Sequence, residues 1–409
     1  MVLAVTWSTL VPLRAAPDMA ILASVSVSIL ALLIAVLRAE GPVVLRAIGV
    51  VGCALFVYMR GVEILTQSSV RTTGLFIAIT IMVGLVILVA NRFTREDVGF
   101  LTKGLIVLLV VHGAYACVEI IRAIPAVWPS ADGINDITVR VHRIFPGLPG
   151  RPMTSFSHPI PLGTFAMFVS VFAMYAVVVL RKRIYLVWFA AAFGLILLSG
   201  TRSAVLTALV AVCFIFLFGA RIGKLWRFMF GIGIAGLTAM SIDFERIATL
   251  IGLGDQFVTS SSYLHRTSVI ESSVNLLSTP TGQMLFGVGT RKAELFESGT
   301  IRGYIPGATF FDNQFVAMAA MYGVIGLVIF LIVMVVVLAR GGVLTRALMA
   351  SIIAMSFSFD FMDWLNTIVF FALTVGLASA GKEIEPTPGS LHIKSRDTAV
   401  KPRFSWSTA

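Results

Sequence analysis

The chain has 409 residues, 58% of them hydrophobic and 12% charged, with a mean hydropathy of +0.97 and a formal net charge of +11. A soluble domain carries about 25% charged and about 45–50% apolar residues, and a core of ordinary size does not hide such an excess. Water-soluble enzymes, secreted disulfide scaffolds and disordered chains are excluded, as is an outer-membrane barrel, because these apolar residues run unbroken instead of alternating.

Eleven apolar runs are long enough to cross a bilayer core of about 30 Å. They cover residues 19–37, 43–59, 74–90, 101–121, 159–180, 184–199, 204–218, 227–242, 313–339, 343–359 and 361–380. The pattern predicts an all-α fold, a polytopic membrane helix bundle of about eleven to twelve transmembrane helices. Residues 1–13 are apolar but too short to cross, which points to a truncated first helix or a start lying upstream. The chain divides into N-terminal transmembrane helices (1–242), a large loop (243–312), C-terminal transmembrane helices (313–380) and a tail (381–409) that reads as disordered.

Orientation follows from the basic residues in short loops. With Arg181, Lys182 and Arg183 on the cytoplasmic side, that side collects 18 Lys and Arg residues, tail included, against Arg14, Arg60, Arg71 and Arg202 opposite. Two long connections, 122–158 and 243–312, then fall on the outer face and the C-terminus in the cytoplasm. The excess of positive charge therefore reads as membrane anchoring and not as nucleic-acid binding. Cys53, Cys117 and Cys213 all lie in apolar runs, so no disulfide framework or CxxC-type metal site is available.

Within the large loop, Tyr263, Ile270, Val274 and Leu277 recur at helical spacing, and so do Phe244, Ile247, Leu250 and Ile251 upstream. Both stretches read as short amphipathic helices suited to lying along the outer leaflet. The first is opened by Ser261 or Ser262 and closed before Pro280.

A literal GxGxxG at Gly231–Gly236 lies inside an apolar run with no preceding strand, so it reads as small-residue helix packing. Asp360 and Asp363 read as solvated turn residues. No nucleotide, metal or other cofactor site is suggested. Arg202 carries more information, because a guanidinium in a four-residue break between two apolar helices is costly near hydrocarbon unless it has a function. The break also offers a helix N-terminus, whose N–H groups and positive dipole end favour an anion such as phosphate. Snorkelling to lipid headgroups is the alternative. Arg266 with His265, and Asp312 with Asn313, stand at the two ends of the outer loop. Asp312 is either a general base or an N-cap for the span that follows. His158 opens the span at 159 and reads as structural before it reads as catalytic.

Three segments together resemble the bacterial O-antigen ligase and O-antigen or exopolysaccharide polymerase group. They are Leu197-Leu198-Ser199-Gly200-Thr201-Arg202-Ser203-Ala204, the loop from Arg266 through Leu285-Phe286-Gly287-Val288-Gly289, and Asp312-Asn313-Gln314-Phe315 followed by Tyr322-Gly323-Val324-Ile325-Gly326-Leu327. The resemblance implies a GT-C-like, metal-independent, inverting glycosyltransferase on the outer side of the bacterial inner membrane. Its donor would be a polyprenyl-pyrophosphate-linked glycan and its acceptor another glycan, with membrane lipid and polysaccharide export or chain-length proteins as partners. It assigns Arg202 and Arg266 to the pyrophosphate; His265, His158 and Asn313, placed near them by the sequence, are further substrate-binding candidates. The family's His stands at Asp312 here, which tilts the expectation from ligase toward polymerase. A transporter or flippase for lipid-linked sugars, with broken helices and internal charge, and a structural scaffold for an envelope complex are the competing classes.

Overall fold

A computed structural model describes residues 1–381 apart from 13–15, 39–44, 68, 123, 125, 129–141, 143, 146, 220–222, 243–260, 306 and 308. The upstream amphipathic stretch of the large loop and the tail beyond Gly381 lie outside the described residues. Every regular element among the described residues is helical.

Each of the eleven apolar runs is a helix. The first eight are α2 (Asp18–Arg38), α3 (Ala47–Thr66), α4 (Val70–Ala90), α5 (Arg95–Arg122), α6 (Pro159–Val178), α7 (Tyr185–Leu198), α8 (Arg202–Gly219) and α9 (Lys224–Ile242). After the large loop come α13 (Gln314–Arg340), α14 (Val343–Ser356) and α15 (Leu365–Ala380). Seven of these, α2 to α6, α8 and α13, are long and apolar enough to cross a membrane. The chain is a multi-pass helical membrane protein. A short helix α1 (Val2–Leu10) precedes the spans, and the large loop contributes α10 (Ser261–Ser272), α11 (Thr281–Phe286) and α12 (Lys292–Glu297).

The bundle is built around α6 and α15. All sixteen residues of α15 are buried, and Phe168 of α6 stacks on Phe370 of α15 with centroids 4.3 Å apart. Lipid tails are as apolar as leucine, so helices in a membrane gain little from hydrophobicity alone and rely on close approach. Small residues provide it. A Cβ at Gly376 would lie 2.6 Å from the Ala90 Cβ, and one at Gly52 would lie 2.5 Å from a Val375 methyl. Of the GxGxxG glycines, Gly233 lies against Cys213 of α8, while Gly231 and Gly236 face open space.

Two ends of the bundle differ in chemistry. At one, the guanidinium of Arg46 donates to the carbonyls of Ser379 and Ala380 at 2.7 and 2.9 Å, satisfying the C-terminus of α15. Arg38, Arg92, Arg181 and Arg340 end or follow helices on this same side. We call it the basic end. The opposite end carries both long connections and is called the loop end. Measured from the basic end, α7 and α14, at 14 residues each, and α15, at 16, are short. At 1.5 Å per residue they rise only about 21–24 Å, against about 30 Å of hydrocarbon.

α13 is not the continuous helix that its apolar run suggests. It breaks at Gly323, whose φ of 66° and ψ of −173° are outside the helical range. The break frees three carbonyls, and each finds a donor. Val288 and Gly289 N–H groups donate to Ala320 and Met321 at 3.1 and 2.8 Å, and the Tyr58 hydroxyl donates to Tyr322 at 2.8 Å. A side chain at Gly287 would collide with the Met321 carbonyl, and one at Gly323 with the Leu285 carbonyl. The two glycine-rich motifs of the sequence are thus the two halves of one backbone contact.

Candidate functional site

The helix break between α7 and α8 lies at the loop end of the bundle. Ser199 ends α7, Gly200 takes φ 64°, and Arg202 opens α8. The orphan carbonyls at the end of α7 are satisfied from the 122–158 connection. His142 Nε2 donates to the Leu198 carbonyl at 2.9 Å, its tautomer fixed by the Phe145 N–H that donates to Nδ1. Arg151 Nε donates to the Ser199 carbonyl at 2.9 Å and a terminal nitrogen to Thr201 Oγ1 at 3.3 Å. A second guanidinium is therefore seated at the break beside Arg202. The sequence placed it in a long loop with nothing to distinguish it.

Next to the break, Thr201 Oγ1 donates to the Pro159 carbonyl at 3.2 Å, tying α8 to the start of α6. His158 is the N-cap of α6, its Nδ1 accepting from the Ile160 N–H at 3.2 Å. That cap is the structural role expected of it. Its ring also lies 5.7 Å from the indole of Trp364. Before it, Thr154 and Ser157 hold positive φ angles of 52° and 57°, which side chains other than glycine rarely adopt. Glu119 of α5, fully buried, accepts the Met153 and Thr154 N–H groups at 3.1 and 2.9 Å and so holds this backbone in place. Glu119 was legible only as a carboxylate near the end of an apolar run, which is itself a functional signal.

The other wall is the α14–α15 turn and the start of α13. Asn313, and not Asp312, caps α13, accepting from the Phe315 and Val316 N–H groups at 3.0 and 3.1 Å. Its Nδ2 reaches the Phe357 carbonyl at the end of α14, at 3.5 Å. Asp312 is thereby relieved of capping and sits half-buried with φ 49°. Asp360 is buried at 4% exposure, and Asp363 forms an ion pair with Lys292 at 2.8 Å, so neither is the solvated turn residue expected. The turn is short and wedged between helices, which removes both carboxylates from solvent.

The large loop folds over this wall. His265 is fully buried, and both ring nitrogens meet backbone. Nε2 donates to the Phe310 carbonyl at 2.9 Å, and the Ile305 N–H donates to Nδ1 at 3.3 Å. That bond joins the two ends of the loop, two residues from Asp312 and one from Arg266. The geometry makes His265 a loop fastener. Arg266 is half-buried, and its Nε is buried without a hydrogen-bond partner. In α10 the buried face is His265, Val269 and Ser272, continuing to Leu276 in the 3-10 turn after it, while Ile270, Val274 and Leu277 of the predicted apolar stripe face outward. The helix stops at Ser272, earlier than expected, and continues as that 3-10 turn to Ser278.

The contacts join the sequence candidates in two groups. Arg151 bonds the segment from which Arg202 starts α8, and Thr201 bonds the start of α6 beside His158, whose ring lies against Trp364 of the α14–α15 turn. Asn313 bonds the end of α14, and His265, next to Arg266, bonds Phe310, two residues before Asp312.

A second constellation was missed. α3 continues past residue 59 to Thr66, so Arg60 is inside a helix and not in a short loop. Arg60 and Glu63 form an ion pair with both side chains buried, and the Tyr322 hydroxyl donates to Glu63. Phe76 lies 5.3 Å from the Arg60 guanidinium. The i,i+3 spacing of Arg60 and Glu63 in continued helical register was the available signal.

No protein-family model matches the chain, and no curated protein matches it.

Proposed function

We propose that the chain is a metal-independent, GT-C-like glycosyltransferase of the bacterial inner membrane. It transfers polyprenyl-pyrophosphate-linked oligosaccharide units to a growing polysaccharide, O-antigen or exopolysaccharide, on the outer face. The observation that carries this reading is the helix break between α7 and α8, where Arg151 donates on either side of Gly200 and Arg202 opens α8. A diphosphate leaving group develops charge as its bond to the sugar breaks, and preorganised guanidinium and helix-terminal N–H donors are what such charge needs. Arg266, with an unsatisfied Nε one residue from the loop fastener, supplies a further cation. In the reaction, an acceptor hydroxyl oxygen attacks the anomeric carbon from the face opposite the leaving group. The carbon–oxygen bond to the pyrophosphate breaks with its electron pair passing to the leaving group, and the hydroxyl proton passes to Asp312. The energy is stored in the donor, so the reaction calls for no nucleotide site.

A ligase that transfers finished polymer to a lipid A core uses the same chemistry with a different acceptor. A second reading, a transporter or flippase of lipid-linked sugars, is favoured by the buried Arg60–Glu63 pair, because ionisable groups inside membrane helices often mark a transport path. One experiment separates them: electrophoresis of lipid-linked glycans from a strain lacking the chain. Single repeat units on the outer leaflet support the polymerase, long unattached chains the ligase, and units held on the inner leaflet the transporter. Arg202→Ala and Arg266→Ala should each reproduce the polymerase defect while inserting and folding normally. A loss on the order of 10²–10³ is the usual consequence of deleting one such donor, and polymer of normal length in either variant rejects that residue's role.

A further inference from the structure

Between the loop-end halves of α2, α3 and α4 lies a cavity of about 650 Å³, within the range of small-molecule sites. The turn between α14 and α15 separates it from the helix break: Asp363 faces this cavity while Trp364 faces His158. Its lining is divided in character. Nine apolar side chains, among them Ile21, Leu75, Ile79 and Met321, form most of the wall. Charge is gathered on Asp18, Arg60, Glu63, Lys292 and Asp363, the only charged residues of the lining among the described residues.

Three features say what fits. The Arg60 side chain is 7% exposed and its Nε has no hydrogen-bond partner, so a buried cationic donor in the lining awaits an acceptor. The charges comprise two cations and three carboxylates, a balance that opposes a purely anionic ligand and suits one carrying both signs. Met19 and Val70, which also line the cavity, are 70% and 88% exposed at the first turns of α2 and α4, so its apolar lining reaches the outer surface of the bundle. A free sugar or nucleotide has no use for the apolar wall, and a plain hydrocarbon has none for the charges.

We propose that this cavity binds a zwitterionic phospholipid from the leaflet at the loop end. Its phosphodiester accepts from Arg60 Nε and Lys292, its ammonium donates to Asp18 and the neighbouring carboxylates, and part of one acyl chain lies along Ile21, Leu75 and Ile79. The site stands apart from the helix break and does not depend on the transferase reading.

The test is native mass spectrometry of the full chain in detergent with dioleoyl phosphatidylethanolamine or dioleoyl phosphatidylglycerol added in equal amounts. Gly74 lines the cavity, and a Cβ there meets nothing within 4 Å, so Gly74→Phe adds a ring at the cavity wall from a position with room for a side chain. The wild type should retain one phosphatidylethanolamine per chain, preferred over phosphatidylglycerol on the order of tenfold, as one charge-assisted hydrogen bond allows. Gly74→Phe should lose that bound lipid, and Asp18→Asn, at an exposed position, should lose the preference while keeping its thermal transition. Equal retention of both lipids, a preference for phosphatidylglycerol, or undiminished binding by Gly74→Phe would each overturn the proposal.

Discussion

Single residues in this protein do their work mainly by satisfying backbone that the fold leaves exposed inside a membrane. Arg151 illustrates the point. It donates to Ser199 and Thr201 on either side of Gly200, so truncation strips donors from the very segment that aims Arg202. Arg151→Ala should lower glycan product with little change in membrane insertion, at a stability cost of about 1–3 kcal/mol for the groups left unsatisfied. Arg151→Lys retains the charge but not the fork, so a merely electrostatic role predicts rescue and a positioning role predicts none. Glu63 poses a sharper case. Its carboxylate holds Arg60 and Tyr322 together where all three side chains are buried. Glu63→Ala leaves a buried guanidinium uncompensated, and breaking such a pair costs on the order of 3–5 kcal/mol. Arg60→Leu combined with Glu63→Leu removes both charges and should melt well above the single variant in detergent. Equal melting of single and double variants would show that the pair is not coupled.

At the scale of elements, the informative contact is the glycine pair that docks the large loop into α13. Gly287, with φ 80°, and Gly323, with φ 66°, each face the other segment's backbone so closely that a Cβ would collide with a carbonyl oxygen, of Met321 and Leu285 respectively. Gly287→Ala or Gly323→Ala therefore adds a backbone collision to a disfavoured conformation, which alone costs about 1–3 kcal/mol. Each should undock the loop, read as rapid cleavage by protease added on the loop side while the transmembrane helices stay protected. Unchanged protease resistance would mean that the loop is held elsewhere. The helices themselves were legible, since each apolar run became one, because a run of that length in lipid has little alternative to a helix. The break in α13 was not legible, because the apolar count of its run is the same whether the backbone is straight or kinked. Only the spacing of Gly287, Gly289, Gly323 and Gly326 hinted at it. The site was legible where polarity interrupts hydrophobicity, as at Arg202, and invisible where the partner comes from an ordinary loop, as with Arg151 and His142. The role of His265 was not legible because it is set by the Phe310 carbonyl, 45 residues away.

For the whole molecule, the distribution of charge and the shape of the bundle bear on the same question of orientation. Arg46, Arg181 and Arg340 stand at the basic end, where the short helices α7, α14 and α15 also start or finish. A helix break on the loop side serves a lipid-linked donor only if that side is where the donor waits. By the positive-inside rule the basic end is expected in the cytoplasm, which would leave the helix break, Asp312 and the large loop outside. Single cysteines test this in a background with Cys53, Cys117 and Cys213 replaced by alanine. Ser298 and Lys182 are both exposed, one in the large loop and one between α6 and α7. Ser298→Cys should react with a membrane-impermeant maleimide on intact spheroplasts, and Lys182→Cys only after the membrane is permeabilised. The reverse labelling would turn the helix break toward the cytoplasm, where a transferase facing a growing extracellular polymer has no acceptor, and the transport reading would then be the one left standing.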